Sequence, residues 1–240
     1  MMRKIFNKNN YYGLSVNEKE WLEIKNHTIG GSEAAAVLNK SKWLTANDLY
    51  NKLAFGKVKT FKSNDRMVEG QTTEKFIRGL FSHDFKDQFE LIPLPTKNRC
   101  IFIRKDKPYL SCTPDSLARN KWTGNLWGIE FKNVELRSKE EKQIWESKDL
   151  PDQYYWQDAQ YLVVLTDLEG VLLYAHLKYF SFNEEKQKWE FDHAEDRAFP
   201  MYRNEVSSHV AYLENKETTF VEINVNGRKR PATSIQLKHL

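Results

Sequence analysis

At 240 residues the chain has room for one large or one decorated domain, and 40% hydrophobic, 13% aromatic and 29% charged residues describe a globular protein rather than a disordered or collagen-like one. Lysine and arginine number 37 against 33 acids, a net charge of +4 that permits nucleic-acid binding without demanding it. The longest nearly uncharged apolar run, 161–166, is too short to cross a membrane, and the first residues lack the apolar core of a signal peptide, so the expectation is a cytoplasmic protein with no membrane partner.

Arg3, Lys4 and Lys8 precede the first acid, Glu18, and Arg228, Lys229, Arg230 and Lys238 sit in an acid-free C-terminal stretch. Solvated, frayed ends are the expected meaning, with DNA-contacting arms the alternative. Cys100 and Cys112 are too few for an iron–sulfur or structural zinc site and read as buried small hydrophobes in a reducing compartment. The six histidines are scattered without ligand spacing and receive no catalytic role.

In chain order, Ser15 and Glu18 form a capping-box pattern ahead of Trp21, Leu22 and Ile24, predicting a short helix that ends near Asn26. Ile29-Gly30-Gly31-Ser32-Glu33 predicts a tight turn into a helix over 34–38 with Ser32 as its cap. Trp43 and Leu44 are expected to pack these small helices, with base stacking as the sharper alternative for them. Thr45 and Asp48 start a third helix, closed by Gly56.

A polar, basic connection over 57–65 leads to a helix capped by Thr72 or Thr73, with Phe76, Ile77, Leu80 and Phe81 on one stripe and Glu74 at its edge. From Phe89 the period drops to two, giving strands over 89–94, 100–104, 109–113 and 126–132. A helix over 151–165, a strand over 171–182, a short strand over 189–191 and a helix over 201–214 complete the chain. Helix, strands, helix, strand in that order predicts an α/β or α+β sandwich.

The sharpest chemical signal is Pro114-Asp115 followed by Glu130-Phe131-Lys132. Successive strand residues face opposite ways, so Ile129 and Phe131 go to the core while Glu130 and Lys132 share the other face. A short loop over 117–125 would return the strand over 126–132 antiparallel to the strand over 109–113 and bring Asp115 to Glu130. Two carboxylates at one site repel, and a hard divalent cation, Mg²⁺ or Mn²⁺, relieves that cost, with the Phe131 carbonyl as a further oxygen ligand. Lys132 beside the metal can orient and help deprotonate the attacking water. The plainer meaning of the same residues is a solvated strand face and a turn aspartate. Gly30-Gly31-Ser32 at a helix start offers free N–H groups to an anion, or is simply a turn and cap.

This combination resembles the PD-(D/E)xK nuclease superfamily, and within it the lambda-exonuclease-like group of YqaJ viral recombinases and alkaline exonucleases. The resemblance rests on Ile29-Gly30-Gly31-Ser32-Glu33-Ala34-Ala35, Gly70-Gln71-Thr72-Thr73-Glu74, Ser111-Cys112-Thr113-Pro114-Asp115-Ser116-Leu117 and Ile129-Glu130-Phe131-Lys132, in the family's order. It implies a restriction-endonuclease-like core, a central mixed sheet flanked by helices, behind an N-terminal helical layer. It implies metal ligation by Asp115 and Glu130, water positioning by Lys132, and for Glu74 a contact to a second metal or its water, so two ions in all. It assigns Gly31 and Ser32 to a terminal 5′ phosphate, with Lys25 where the family has an arginine. Residues 150–162 resemble the family's P-x-x-Y-x-x-Q-x-Q helix, with Tyr154 in place and either Gln157 or Gln160 as the glutamine near the site.

The expectation is therefore one nuclease domain over 1–240, divided into an N-terminal helical layer (1–65), the core (66–182) and a C-terminal extension with a basic tail (183–240). The resemblance implies a Mg²⁺-dependent 5′ to 3′ exonuclease acting on double-stranded DNA ends to leave 3′ single-stranded tails in phage-type recombination, beside a single-strand annealing protein, and often closed as a homo-oligomeric ring. An endonuclease of the same fold, of restriction or repair type, is the alternative, and a non-catalytic DNA-binding module a more distant one.

Overall fold

The computed structural model describes residues 3–56, 65–95, 99–147 and 150–222, and for 65–72 the backbone alone. The N-terminal segment, expected to fray, is a hairpin of β1 (Arg3–Asn7) and β2 (Tyr11–Val16). Leu14 and Val16 of β2 are fully buried with Ile101 and Ile103 of β4 (Arg99–Arg104), while Arg3 and Lys4 stay exposed on the outer strand. β4 pairs in turn with the two-residue β5 (Ser111–Cys112), giving a four-stranded sheet in the order β1-β2-β4-β5. The layer expected to be helical thus opens with strands, because apolar residues on β2 find a partner far along the chain.

The second sheet has the order β3-β6-β7-β8-β9, built from β3 (Phe89–Ile92), β6 (Ser116–Asn120), β7 (Leu126–Leu136), β8 (Leu168–Asn183) and β9 (Lys188–Tyr202). Its pairs are antiparallel except β7 with β8. A parallel pair needs a long crossover, and helices α5 (Lys139–Glu146) and α6 (Asp152–Val164) supply it. Helix α4 (Asp65–Asp84) covers one face, packing Ile77 and Phe81 on Ile129, Phe131, Leu172 and Tyr174. On the other side, Leu162 and Val163 of α6 share a core with Val171, and helix α7 (Ser207–Phe220) adds Val210 and Leu213 to it. This is the expected central mixed sheet between helices.

Several local expectations move. Helix α1 (Glu18–His27) is capped by the pair Asn17 and Glu20, two residues beyond the expected pair, because Ser15 and Val16 belong to β2. Ser32 lies inside a single 3₁₀ turn, Gly31–Glu33, ahead of the short helix α2 (Ala34–Val37). Helix α3 (Ala46–Phe55) has the expected Thr45 and Asp48 box and ends on Gly56 at φ 64°, a left-handed cap. Thr72 and Thr73 lie inside α4 rather than at its start. Met201 and Tyr202 end β9, so the C-terminal helix starts later than expected. Residues 57–64 and the basic stretch after 222 lie outside the described residues.

Candidate active site

The expected return of the strand over 109–113 onto β7 does not occur, since β5 belongs to the other sheet and the stretch read as a loop contains β6. Register still brings the acids together. Ser116 of β6 pairs with Ile129 of β7, so Asp115, one residue before, comes alongside Glu130 and Phe131. The Phe131 N–H donates to Asp115 Oδ2 at 2.8 Å and fixes the carboxylate there. Asp115 therefore stands where the chain leaves one sheet for the other.

Glu130 is 3% exposed and fully engaged. Lys132 Nζ and Gln157 Nε2 donate to its Oε1 at 2.5 and 2.6 Å, and the Tyr161 hydroxyl donates to its Oε2 at 2.6 Å. Gln157 also donates to the Tyr161 oxygen at 2.8 Å, so these two side chains, one helical turn apart on α6, close a triangle with Glu130. Burial, then the charges of Glu130 and Glu74, push the Asp115 carboxyl well above the usual range, against the pull of Lys132. For Lys132 burial works against the charge, but Glu130 and Asp115 outweigh it and raise the ammonium's pKa. A lysine held charged in this way donates rather than accepts.

Glu74 opens into the same cavity of about 420 Å³ as Asp115, Glu130 and Lys132. Its Oε1 accepts from Arg78 Nη2 at 3.0 Å, and the same nitrogen donates to the Asp115 carbonyl at 2.7 Å while Nη1 donates to Ser116 Oγ at 3.1 Å. Arg78 thus ties α4 to the Asp115 turn, a link the sequence reading missed although Glu74 and Arg78 have the i,i+4 spacing of a helix pair.

The Gly30-Gly31-Ser32 turn is held against this site by Ile29, which bridges Leu110 ahead of β5 and accepts from the Ser111 N–H at 2.9 Å. Each glycine makes room for a different neighbour. A Cβ on Gly31 would lie 2.6 Å from the Tyr161 ring and 3.2 Å from Gln157 Cγ, and one on Gly30 would lie 2.0 Å from the Lys25 ammonium. Glu33 accepts from the Gly30 N–H at 2.8 Å and from Lys52 Nζ at 2.6 Å, with Lys25 Nζ at 3.7 Å. Despite burial, Lys25 and Lys52 hold the Glu33 carboxyl below its usual range, and burial brings the Lys52 ammonium down to about 8. Lys25 and Ser32 line a second cavity of about 820 Å³, which meets the first at Lys132 and Tyr154.

Of the residues singled out in the sequence, Asp115, Glu130, Lys132, Glu74 and the Phe131 backbone meet at one cavity. Lys25, Ser32, Tyr154 and Gln157 line the adjoining one, and Gly31 packs beneath it. Tyr154 places its ring 5.0 Å from Lys132 Nζ. Between the two glutamines the geometry separates clearly: Gln157 binds Glu130, while Gln160 reaches the Ile29 carbonyl at 3.3 Å, away from the acids. Trp43 does not pack the small helices; it is 74% exposed at the rim of the larger cavity, its indole donating to Gln153 at 3.1 Å, while Leu44 joins the core. Tyr161, Glu33 and Lys52 are site neighbours to which the sequence assigns no role.

Among the described residues, no three histidine, cysteine or acidic side chains stand as a complete metal cage. The donor set nevertheless fits a hard cation: two carboxylates side by side, a backbone carbonyl, and a third carboxylate in the cavity whose charge adds to the upward push on Asp115. Removing that mutual repulsion is what a divalent ion does in such a set.

In fold, the chain is similar to the crystal structure of an alkaline exonuclease, LHK-Exo, from Laribacter hongkongensis, at TM-score 0.52 and 12% identity over 86% of this chain and 92% of that one. It is equally similar to LHK-Exo in complex with dAMP, at TM-score 0.52 and 14% identity over the same shares. Curated proteins give no match. The sequence pattern of the YqaJ-like viral recombinase domain matches residues 20–169, a span that runs from α1 through both cavities to the start of β8, and by that match the chain belongs to this family.

Proposed function

We propose that the protein is a divalent-metal-dependent exonuclease that degrades linear double-stranded DNA from its 5′ ends and leaves 3′ single-stranded tails for recombination. One observation carries this reading: the cavity with Asp115, Glu130 and Lys132 and the cavity with Lys25 and Ser32 share Lys132 and Tyr154 as a common wall. A strand end anchored at the turn has its first phosphodiester delivered to the acids, and such positioning is worth a large part of a hydrolytic barrier.

Asp115, Glu130 and the Phe131 carbonyl would hold the metal, with Glu74 toward a second ion or its water. When bound, Mg²⁺ or Mn²⁺ supplies polarisation of the phosphoryl oxygen and a more acidic water. Lys132 orients the attacking water by donating to it, and Gln157 and Tyr161 keep Glu130 from swinging out of place. Lys25 and the N–H groups of Gly31 and Ser32 receive the terminal phosphate, whose monoester charge exceeds that of an internal diester. Lysine there lacks the bidentate fork of the family's arginine, so recognition rests on charge more than on shape.

Phage origin, a ring of copies around DNA and a single-strand annealing partner accompany this reading through the family. The test is purified protein on end-labelled linear and on covalently closed circular duplex, with and without Mg²⁺. Mg²⁺-dependent loss of the linear DNA with intact circles is expected; circles cut at a comparable rate would make the protein an endonuclease instead.

A further inference from the structure

Lys52 is a buried lysine with a fixed task. Its side chain is 9% exposed, and its three ammonium protons go to the Lys25 carbonyl at 2.7 Å, the Thr28 carbonyl at 2.8 Å and Glu33 Oε1 at 2.6 Å. The first two acceptors close the C-terminal end of α1, where a cation also meets the negative end of the helix dipole. The third is the only acid in the Gly30-Gly31-Ser32-Glu33 turn.

Glu33 has two cations near it and treats them unequally. Lys52 is at hydrogen-bond distance, whereas Lys25 stands at 3.7 Å, near the acid but beyond a hydrogen bond. A carboxylate this buried stays ionised only with a close cation. Were Lys52 absent, Lys25 would need to move by only about 1 Å to form a normal charge-assisted hydrogen bond. Its charge would then be spent inside the turn. With Lys52 present, two lysines face one glutamate and the cluster keeps a net positive charge on the cavity wall that Lys25 and Ser32 line.

We propose that Lys52 is the positioning residue that makes the end pocket selective for a phosphate, by occupying Glu33 and so leaving the Lys25 ammonium to the DNA end. This rests on the end-phosphate reading above. Lys52 does not touch the phosphate; it acts by denying Glu33 its second partner.

The test is the ratio of degradation rates for linear duplex bearing a 5′ phosphate over the same duplex bearing a 5′ hydroxyl, measured in the full chain and in Lys52→Met, Glu33→Gln and the double variant. The native chain should show a preference on the order of tenfold, as expected for one charge-assisted hydrogen bond. Lys52→Met should lose most of it, Glu33→Gln should keep or increase it, and the double variant should regain it, because no acid is left to compete for Lys25. A purely structural lysine gives no such recovery. Native-level preference in Lys52→Met, or a double variant as indifferent as Lys52→Met, overturns the proposal while leaving the end-phosphate reading intact. Should Lys52→Met fail to fold, loss of preference in Glu33→Gln overturns it equally. No preference in the native chain overturns the end-phosphate reading, and the role of Lys52 with it.

Discussion

Glu130 receives three donors, and one of them, Tyr161, is a residue to which the sequence assigns no role. Its ring fills the space that Gly31 leaves, and its hydroxyl fixes one carboxylate oxygen. Tyr161→Phe keeps the ring and removes the hydrogen bond, so the fold should hold while Mg²⁺ affinity or turnover falls about 10- to 100-fold, as for other partners of metal-binding carboxylates. A Mg²⁺ titration of activity beside a thermal melt checks this; an unchanged titration would leave Tyr161 as packing alone. At this scale, Glu130 and Lys132 were legible because strand alternation puts them on one face, whereas Asp115 reaches them through β6 and not by the return expected from the sequence. Tyr161 was not, since its meaning depends on a glycine 130 positions earlier in the chain. Arg78 could have been found from its spacing to Glu74.

Charge placement governs the elements in the same way. β9 carries Glu190, Asp192, Glu195 and Asp196, a composition that reads as loop, so only a short strand was expected around Trp189. What makes it a strand is β8, whose Asn183, Ser181, Tyr179 and His176 hydrogen-bond those acids across the pair. β6 was hidden for a similar reason, being short and recognisable only by its partners β3 and β7. Within α7, Glu217 is fully buried, and burial together with the Glu214 charge pushes its carboxyl well above the usual range, against Lys107 and Gln160. The folded chain therefore holds a proton that the unfolded chain releases once pH exceeds the ordinary glutamate value of about 4.3. Stability falls as pH rises from there toward the folded value. Glu217→Gln should melt higher than the native protein at pH 7, with the gap closing near pH 4 in melts across the range. An equal gap at both pH values would show that the gain does not come from the proton.

The two sheets meet at the Asp115 turn, and the Gly30-Gly31-Ser32 turn, α6 and α4 converge on it from three sides. The layer order was legible from the alternation of helices and strands, whereas the N-terminal hairpin was not, because its strands are completed by β4 some ninety residues on. The proposed function puts the cutting at this one site. The most direct measurement is Mg²⁺-dependent digestion of 5′-phosphorylated linear duplex by purified Asp115→Ala and Glu130→Ala, each first confirmed to be folded by circular dichroism. Both variants should bind the duplex yet fail to shorten it, since each removes a ligand from the proposed metal set. Near-native turnover by either one would contradict the assignment of this site.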